Sequence, residues 1–150
     1  MNAIESAAIE LPAIAVLLIE DDPEYRRLVE RWLTSSREAR FGVRSAARLD
    51  DTWNRLGVSD VILLDLGLPD AEGLDTVVAA RELAGNAPIV VITGNEDADI
   101  GQRVLRAGAD GFVSKRRADP EILHAVLRRA LTARAHVRAQ ARVRRATFIS

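Results

Sequence analysis

The chain has 150 residues, 48% of them hydrophobic, which is enough for one folded domain with a sizeable core. It has no cysteine and two histidines, which excludes disulfides and cysteine-ligated metals and argues against an all-imidazole site, so a metal must bind to oxygen. The net charge of −1 conceals an asymmetry. From Arg116 onward nine Arg face two acids, about +7, which leaves about −8 on the first 115 residues.

The N-terminal region carries no sign of a membrane or export segment. Its longest apolar run, residues 13–19, is far too short to span a bilayer, and its early charges are the acids Glu5 and Glu10. We therefore expect a cytoplasmic protein without a membrane partner.

The first predicted strand is the apolar run Val16–Ile19, which stops at the acidic turn Glu20-Asp21-Asp22. Asp22 is a favourable N-cap and Pro23 a favourable first helical residue, so a helix is predicted to begin there. Its apolar positions recur at helical spacing and are Leu28, Val29, Trp32 and Leu33.

The middle of the chain is predicted to add two strands and two helices. Residues 41–46 form a weaker strand, after which Asp50 or Asp51 caps a short helix that carries Trp53. The apolar run 60–65 is the third strand, and residues 71–84 form the third helix.

The last third of the chain repeats the alternation twice more. Residues 88–93 are a fourth buried strand, followed by a helix that uses Ile100 and Val104. A glycine-containing turn leads to a fifth strand at residues 112–114, and the last helix begins near Asp119-Pro120 with Ile122 and Leu123 inward. Five strands alternating with five helices predict an α/β fold with a doubly wound parallel sheet, covered by helices on both faces.

Polar residues follow the apolar strands at the edge where such sheets bind ligands. They are Asp21, Asp22, Asp65, Thr93 and Lys115. Each alone has an ordinary structural role, such as a helix cap or a solvated lysine. Together, however, three converging carboxylates would repel one another strongly unless a cation were present.

This set of residue types fits phosphoryl transfer. Mg²⁺ prefers carboxylate oxygens, water and a substrate phosphate, Lys115 adds a point charge, and Thr93 adds a hydroxyl donor. These are the groups that neutralise a transferring phosphoryl group during in-line attack. We therefore predict that Asp65 is a nucleophile that forms an aspartyl phosphate.

Four motifs in order carry a resemblance to a known family. They are LLIEDDPEYRR (17–27), DVILLDLGLPDAEG (60–73), PIVVITG (88–94) and GADGFVSK (108–115). With them the chain resembles the CheY-like receiver domain of two-component response regulators, over about residues 14–131. The resemblance implies a flavodoxin-like, five-stranded sheet of strand order 2-1-3-4-5.

The resemblance also implies a role for each acid. Asp65 would be the phosphoacceptor, and Mg²⁺ would be ligated by Asp22, Asp65 and the backbone carbonyl of Gly67. Asp21 would act largely through a bound water.

Three further residues are implied in binding and switching. Lys115 would contact one phosphoryl oxygen, and Thr93 would swing inward to hydrogen-bond another. Phe112 would be coupled to Thr93, so that the face formed by the fourth helix, the fifth strand and the fifth helix changes shape on phosphorylation.

The implied partners are a sensor histidine kinase or a histidine phosphotransfer protein as donor, and a downstream protein target or an output domain outside this chain. The resemblance is also compatible with a homodimer. Such a protein is no enzyme beyond catalysing its own phosphorylation and dephosphorylation.

Outside the receiver region we predict an N-terminal extension, residues 1–13, and a basic C-terminal extension, residues 132–150, that is a linker or continues the last helix. In the run from Arg134 to Arg145, Arg alternates with Ala and Val, without interleaved aromatics for base stacking. A nucleic-acid partner is therefore not expected.

Three alternatives share parts of the pattern. A haloacid dehalogenase-type phosphohydrolase would need a second acid two residues after Asp65, where Gly67 stands. A flavin or nucleotide module would meet repulsion between its phosphate and the acids 20–22. A pseudo-receiver, a scaffold that binds proteins without phosphorylation, is disfavoured by the complete set of site residues.

Overall fold

A computed structural model describes residues 11–52 and 55–149. Most of the predicted N-terminal extension, and Trp53 of the predicted second helix, lie outside these ranges. The described strands are β1 (Ala13–Ile19), β2 (Arg40–Ala46), β3 (Val61–Leu64), β4 (Gly67–Leu68), β5 (Ala71–Glu72), β6 (Ile89–Thr93) and β7 (Gly111–Ser114). The described α-helices are α1 (Pro23–Thr34), α2 (Gly73–Ala84), α3 (Ile100–Ala107) and α4 (Pro120–Ile149).

The main sheet is parallel and has the order β2-β1-β3-β6-β7. Because β4 and β5 form a separate two-stranded hairpin, this is the predicted order 2-1-3-4-5, and the predicted fold class is confirmed. The central strands are apolar throughout, since helices cover both of their faces: every residue of β3 is buried, as is every residue of β6.

Two cores lie on opposite faces of the sheet. Alternate residues of β1, here Leu17 and Ile19, pack towards α2 and α3 on one face. Val16 and Leu18 pack towards α1 and α4 on the other. Each fully buried aliphatic side chain contributes about 1.5–3 kcal/mol, so the sheet is a firm support for the residues at its edge.

Two predicted helices differ from the structure. In place of the predicted second helix there are two 3-10 turns, Leu49–Thr52 and Leu56–Val58. The carboxylate of Asp70, on the hairpin turn, accepts the backbone N–H groups of Leu49 and Asp50 at 3.1 and 2.9 Å, which ties this segment to the hairpin. The predicted third helix begins at Gly73, not at residue 71, because residues 71–72 pair with β4.

The last helix, α4, continues through the basic extension as one 30-residue helix, as one of the two alternatives predicted. It is about 45 Å long. The predicted boundary between residues 131 and 132 falls inside it and stays a prediction. Ile122, predicted to point inward, is 40% exposed. Among the described residues, no helix combines the length and apolarity needed to cross a membrane.

An ion cluster around Asp110 holds α4 to the amino ends of the central strands. The Asp110 carboxylate accepts Arg81 Nη2 at 2.6 Å, Arg134 Nε at 2.7 Å and the backbone N–H of Ile89 at 2.8 Å. The Arg81 guanidinium also donates to three backbone carbonyls, those of Gly108, Gly85 and Ala87. One carboxylate thus connects α2, β6 and α4.

Candidate functional site

The carboxyl edge of the sheet brings the predicted residues together because neighbouring strands end level. Ile19 and Leu64 are register partners in β1 and β3, so Glu20 and Asp65 follow side by side. The backbone N–H of Asp65 donates to the carbonyl of Ile19 at 3.0 Å. Asp65 is 5% exposed, and a buried carboxylate requires partners to offset its lost hydration.

Lys115 supplies the positive charge. It follows β7, and its backbone N–H donates to the Thr93 carbonyl at 2.9 Å, which fixes the start of its side chain. The Nζ lies 2.8 Å from Glu20 Oε2 and 3.5 Å from Asp65 Oδ1. The structure therefore places Lys115 beside Asp65, in a position to contact an oxygen attached to it.

Three carboxylates form a candidate cation site. One oxygen from each of Glu20, Asp21 and Asp65 lies within 4.8 Å of the other two. Glu20 is buried and Asp21 is exposed, so protein oxygens would meet an ion on one side and water on the other. That combination suits Mg²⁺, which keeps several waters when it binds to carboxylates.

Asp22 does not belong to this cluster, and its predicted role as a metal ligand stays a prediction. Its Oδ1 accepts the backbone N–H of Glu24 at 3.0 Å and caps α1. The carboxylate of Asp22 is thus engaged at the start of α1. The structure places Glu20 in the carboxylate cluster, a residue that sequence reasoning missed. Strand register could have indicated it, since Glu20 follows Ile19 as Asp65 follows Leu64, and these two strand residues are partners.

The electrostatics of the pair Glu20 and Lys115 are strongly coupled. Burial raises the pKa of Glu20, the hydrogen bond from Lys115 opposes the rise, and the charge of Asp65 adds to it. Burial alone would lower the pKa of Lys115, but the hydrogen bond to Glu20 and the charge of Asp65 outweigh burial, so this pKa is raised. Lys115 is therefore held as a cation.

Thr93 and Gly67 also lie at this edge. Thr93 ends β6, is 4% exposed, and its Oγ1 accepts the backbone N–H of Asn95 at 3.2 Å. Gly67 begins the hairpin two residues after Asp65, and a Cβ added to it would stand 3.7 Å from Asp65 Oδ2. Gly67 therefore lies on the Oδ2 side of Asp65, while Lys115 lies on the Oδ1 side.

Phe112 lies within β7, where its register partner on β6 is Val91. Its ring packs against α3 so closely that a Cβ on Gly101 would stand 3.3 Å from the ring. With Leu105, Ile122 and Val126 it lines a groove of about 1000 Å³ between α3 and α4. Leu105 and Ile122 are 48% and 40% exposed, so this face presents apolar surface to solvent.

Tyr25 of α1 completes the site. Its ring lies under Lys115 Nζ, 4.6 Å from the centroid, and meets Trp32 edge to face at 6.3 Å. Burial and the charges of Glu20 and Asp65 raise the pKa of Tyr25 to about 12. Sequence reasoning missed this residue because nothing in the local pattern shows which helical aromatic faces the strand ends.

Tyr25 is the only tyrosine in the chain, so its ionisation can be read directly. Tyrosinate absorbance of the folded chain is expected to rise at about pH 12, and that of the urea-unfolded chain near the ordinary value of 10.0. Because the folded state keeps its proton longer, this group stabilises the fold below pH 10 and loses that contribution as the pH rises towards 12. A folded chain that titrates at the unfolded value would contradict the assignment.

A family model for the response regulator receiver domain matches residues 16–127. The chain belongs to this family. The receiver match covers the main sheet except the first three residues of β1, includes the acid cluster and Lys115, and ends inside α4. The predicted family is thus confirmed. Of the three alternatives, the pseudo-receiver is the one that shares this family.

The receiver is similar to regulators from several bacteria. It is 34% identical to the swarming motility regulation protein RssB of Serratia marcescens over 113 residues, 74% of this chain and 50% of that protein. It is also 34% identical to the nitrate/nitrite response regulator protein NarP of Escherichia coli, over 79% of this chain and 55% of that protein. The chain spans about half the length of these curated relatives.

A solved structure shows the same fold. A response regulator protein from Burkholderia pseudomallei, with a phosphorylated aspartic acid, a calcium ion and citrate, superposes with a TM-score of 0.65 at 26% identity. The match covers 87% of this chain and 74% of that one.

Proposed function

We propose that this receiver accepts a phosphoryl group on Asp65 from a phosphohistidine of a sensor kinase or a histidine phosphotransfer protein. One observation carries the proposal: Asp65 is a buried carboxylate at a strand end, with Lys115 at 3.5 Å and two further carboxylates within 4.8 Å. A structural acid would not need both a cation and an acid cluster around it. The phosphorylated aspartic acid in the Burkholderia protein supports this chemistry by analogy.

The carboxylates of Glu20, Asp21 and Asp65 are the residues that would hold Mg²⁺, together with the Gly67 carbonyl inferred from the family. The fit rests on three oxygens within 4.8 Å and on an exposed carboxylate that leaves room for water. When bound, Mg²⁺ would neutralise charge on the phosphoryl oxygens.

Asp65 Oδ2 is the attacking atom in this proposal, since Lys115 lies on the side of Oδ1. As the new P–O bond forms, the P–N bond to the donor imidazole breaks, and the imidazole leaves with the electron pair. Lys115 neutralises one equatorial phosphoryl oxygen, and the Thr93 hydroxyl turns to donate to another. The receiver catalyses its own phosphorylation and dephosphorylation and acts on no separate substrate.

The response follows from the same contacts. A Thr93 hydroxyl drawn to the phosphoryl group gives up its bond with Asn95, the residue that leads towards α3. Phe112 then repacks beside α3, and the groove between α3 and α4 changes shape. A downstream protein, an output domain or a second copy would read this face, in the cytoplasm where histidine kinases consume ATP.

Intact-mass spectrometry tests the proposal. The native chain, incubated with Mg²⁺ and acetyl phosphate, is expected to gain one acid-stable, base-labile phosphoryl group, and Asp65→Asn none, because an amide oxygen is a poor nucleophile. Asp97→Asn, on an exposed loop, is the matched control and labels like the native chain. Labelling of Asp65→Asn would contradict the assignment, and no labelling of the native chain would indicate a pseudo-receiver.

A further inference from the structure

Lys115 holds its position through contacts that the phosphorylation chemistry itself would disturb. Its shortest contact, 2.8 Å, is to Glu20, one of the three carboxylates placed in the cation site. A carboxylate that binds a cation has less charge to offer a neighbouring ammonium. The side chain of Lys115 is 22% exposed, so water is available to it as an alternative partner.

Besides the two carboxylates, Glu20 and Asp65, the ammonium contacts the Tyr25 ring. Nζ lies 4.6 Å from the ring centroid, within the distance at which a cation is attracted to the negative face of an aromatic ring. The attraction does not depend on Glu20, and it increases when the cation is partly desolvated. The ring itself is kept in place by its edge-to-face contact with Trp32.

The hydroxyl of Tyr25 offers no competing explanation. It is buried, and within the described residues it has no hydrogen-bond partner. The hydroxyl therefore makes no hydrogen bond that would fix the side chain, and the part of Tyr25 that contacts Lys115 is the ring.

We propose that Tyr25 is a positioning residue, whose ring face holds the Lys115 ammonium beside Asp65 when Glu20 is engaged by a cation. The alternative is that Tyr25 is an ordinary packing residue of the core between α1 and the sheet. The two differ in what Lys115 experiences, because a packing role requires apolar bulk and a positioning role requires an aromatic face. This inference rests on the proposed function for its effect on phosphorylation, but not for the contact itself.

The chain permits a direct measurement, since Lys115 is its only lysine. A carbon-labelled lysine therefore gives one set of NMR signals without assignment. In the native protein without Mg²⁺, the ε-methylene protons of Lys115 are expected to be shifted upfield by the ring current of Tyr25, and to stay shifted when Mg²⁺ is added. A native spectrum with random-coil lysine shifts would overturn the proposal before any variant is made.

Two substitutions of Tyr25 distinguish the effect of its aromatic face from the effect of its apolar volume. Tyr25→Phe keeps the aromatic face and is expected to retain the upfield shift and the native labelling rate with acetyl phosphate. Tyr25→Leu keeps apolar bulk and is expected to lose the shift and to label about 2- to 30-fold more slowly, the range that one cation–π contact represents in a rate. Phe41→Leu, the same kind of aromatic-to-leucine change on β2, where the ring stacks on His124, is the control and keeps both signals.

Each result has one meaning. Native labelling by Tyr25→Leu, or slowed labelling by Tyr25→Phe, would overturn the positioning role. If no form of the chain labels, the proposed function fails, and a Lys115 shift present in the native protein and lost in Tyr25→Leu still establishes the contact. An unchanged shift in Tyr25→Leu refutes the contact itself.

Discussion

Glu20→Gln is expected to weaken Mg²⁺ binding at least about tenfold, the lower end of what even outer-shell changes cost a metal site. The reason is that Glu20, and not Asp22, shares the oxygen cluster with Asp21 and Asp65. The fold should survive, because the amide oxygen of the introduced glutamine can still accept the backbone N–H of Asp22, as Glu20 Oε1 does at 3.1 Å. Lys115 keeps its contact with Asp65.

Asp22→Asn is the matched control for this change. Asparagine caps helices as well as aspartate does, so the start of α1 and the stability of the fold should be preserved. Mg²⁺ affinity should fall by less than about fivefold, since an exposed charge outside the cluster contributes little. Isothermal titration calorimetry with Mg²⁺ compares the two variants, and a larger loss in Asp22→Asn than in Glu20→Gln would restore Asp22 as the ligand.

Asp110→Ala is expected to destabilise the fold by about 3–5 kcal/mol, the usual cost of breaking a partly buried ion pair by removing one partner. The substitution leaves the guanidinium groups of Arg81 and Arg134 without their shared carboxylate and leaves the N–H of Ile89 without its acceptor. An unpaired buried N–H adds to the cost. In a chain of this size, that loss corresponds to a decrease in Tm of roughly 6–20 °C.

Urea unfolding followed by circular dichroism measures the effect. Asp97→Ala removes a carboxylate from an exposed position and should change the free energy of unfolding by no more than about 0.5 kcal/mol. If Asp110→Ala behaved like Asp97→Ala, the cluster would be a surface feature without a structural role.

Residues at the ends of continuous apolar strands could be predicted from sequence. Asp65, Thr93 and Lys115 each follow such a run, and a parallel sheet necessarily brings those ends to one edge. Strand order followed from the family resemblance and not from composition. These positions required no knowledge of side-chain contacts.

What could not be predicted depends on contacts between distant segments. In the run of three acids after Ile19, the choice between Glu20 and Asp22 depends on where α1 takes its cap and on the register with β3. The predicted second helix is replaced by 3-10 turns where Asp70, about 20 residues away, accepts the N–H groups of Leu49 and Asp50. Tyr25 meets Lys115 across 90 positions of chain, a pairing that helical periodicity cannot reveal.

The Asp110 cluster also fixes α4 to the sheet at one point along its length, through Arg134. Arg134 is held at the amino edge of the sheet, and the helix continues unbroken to Ile149, about 22 Å beyond that contact. If α4 tilted by about 5° about the Arg134 contact, its C-terminal end would move by about 2 Å over that length. Because Asp110 immediately precedes β7, the strand that leads to Lys115, we expect a small movement of β7 to shift this contact and to displace the end of α4 further than the contact itself.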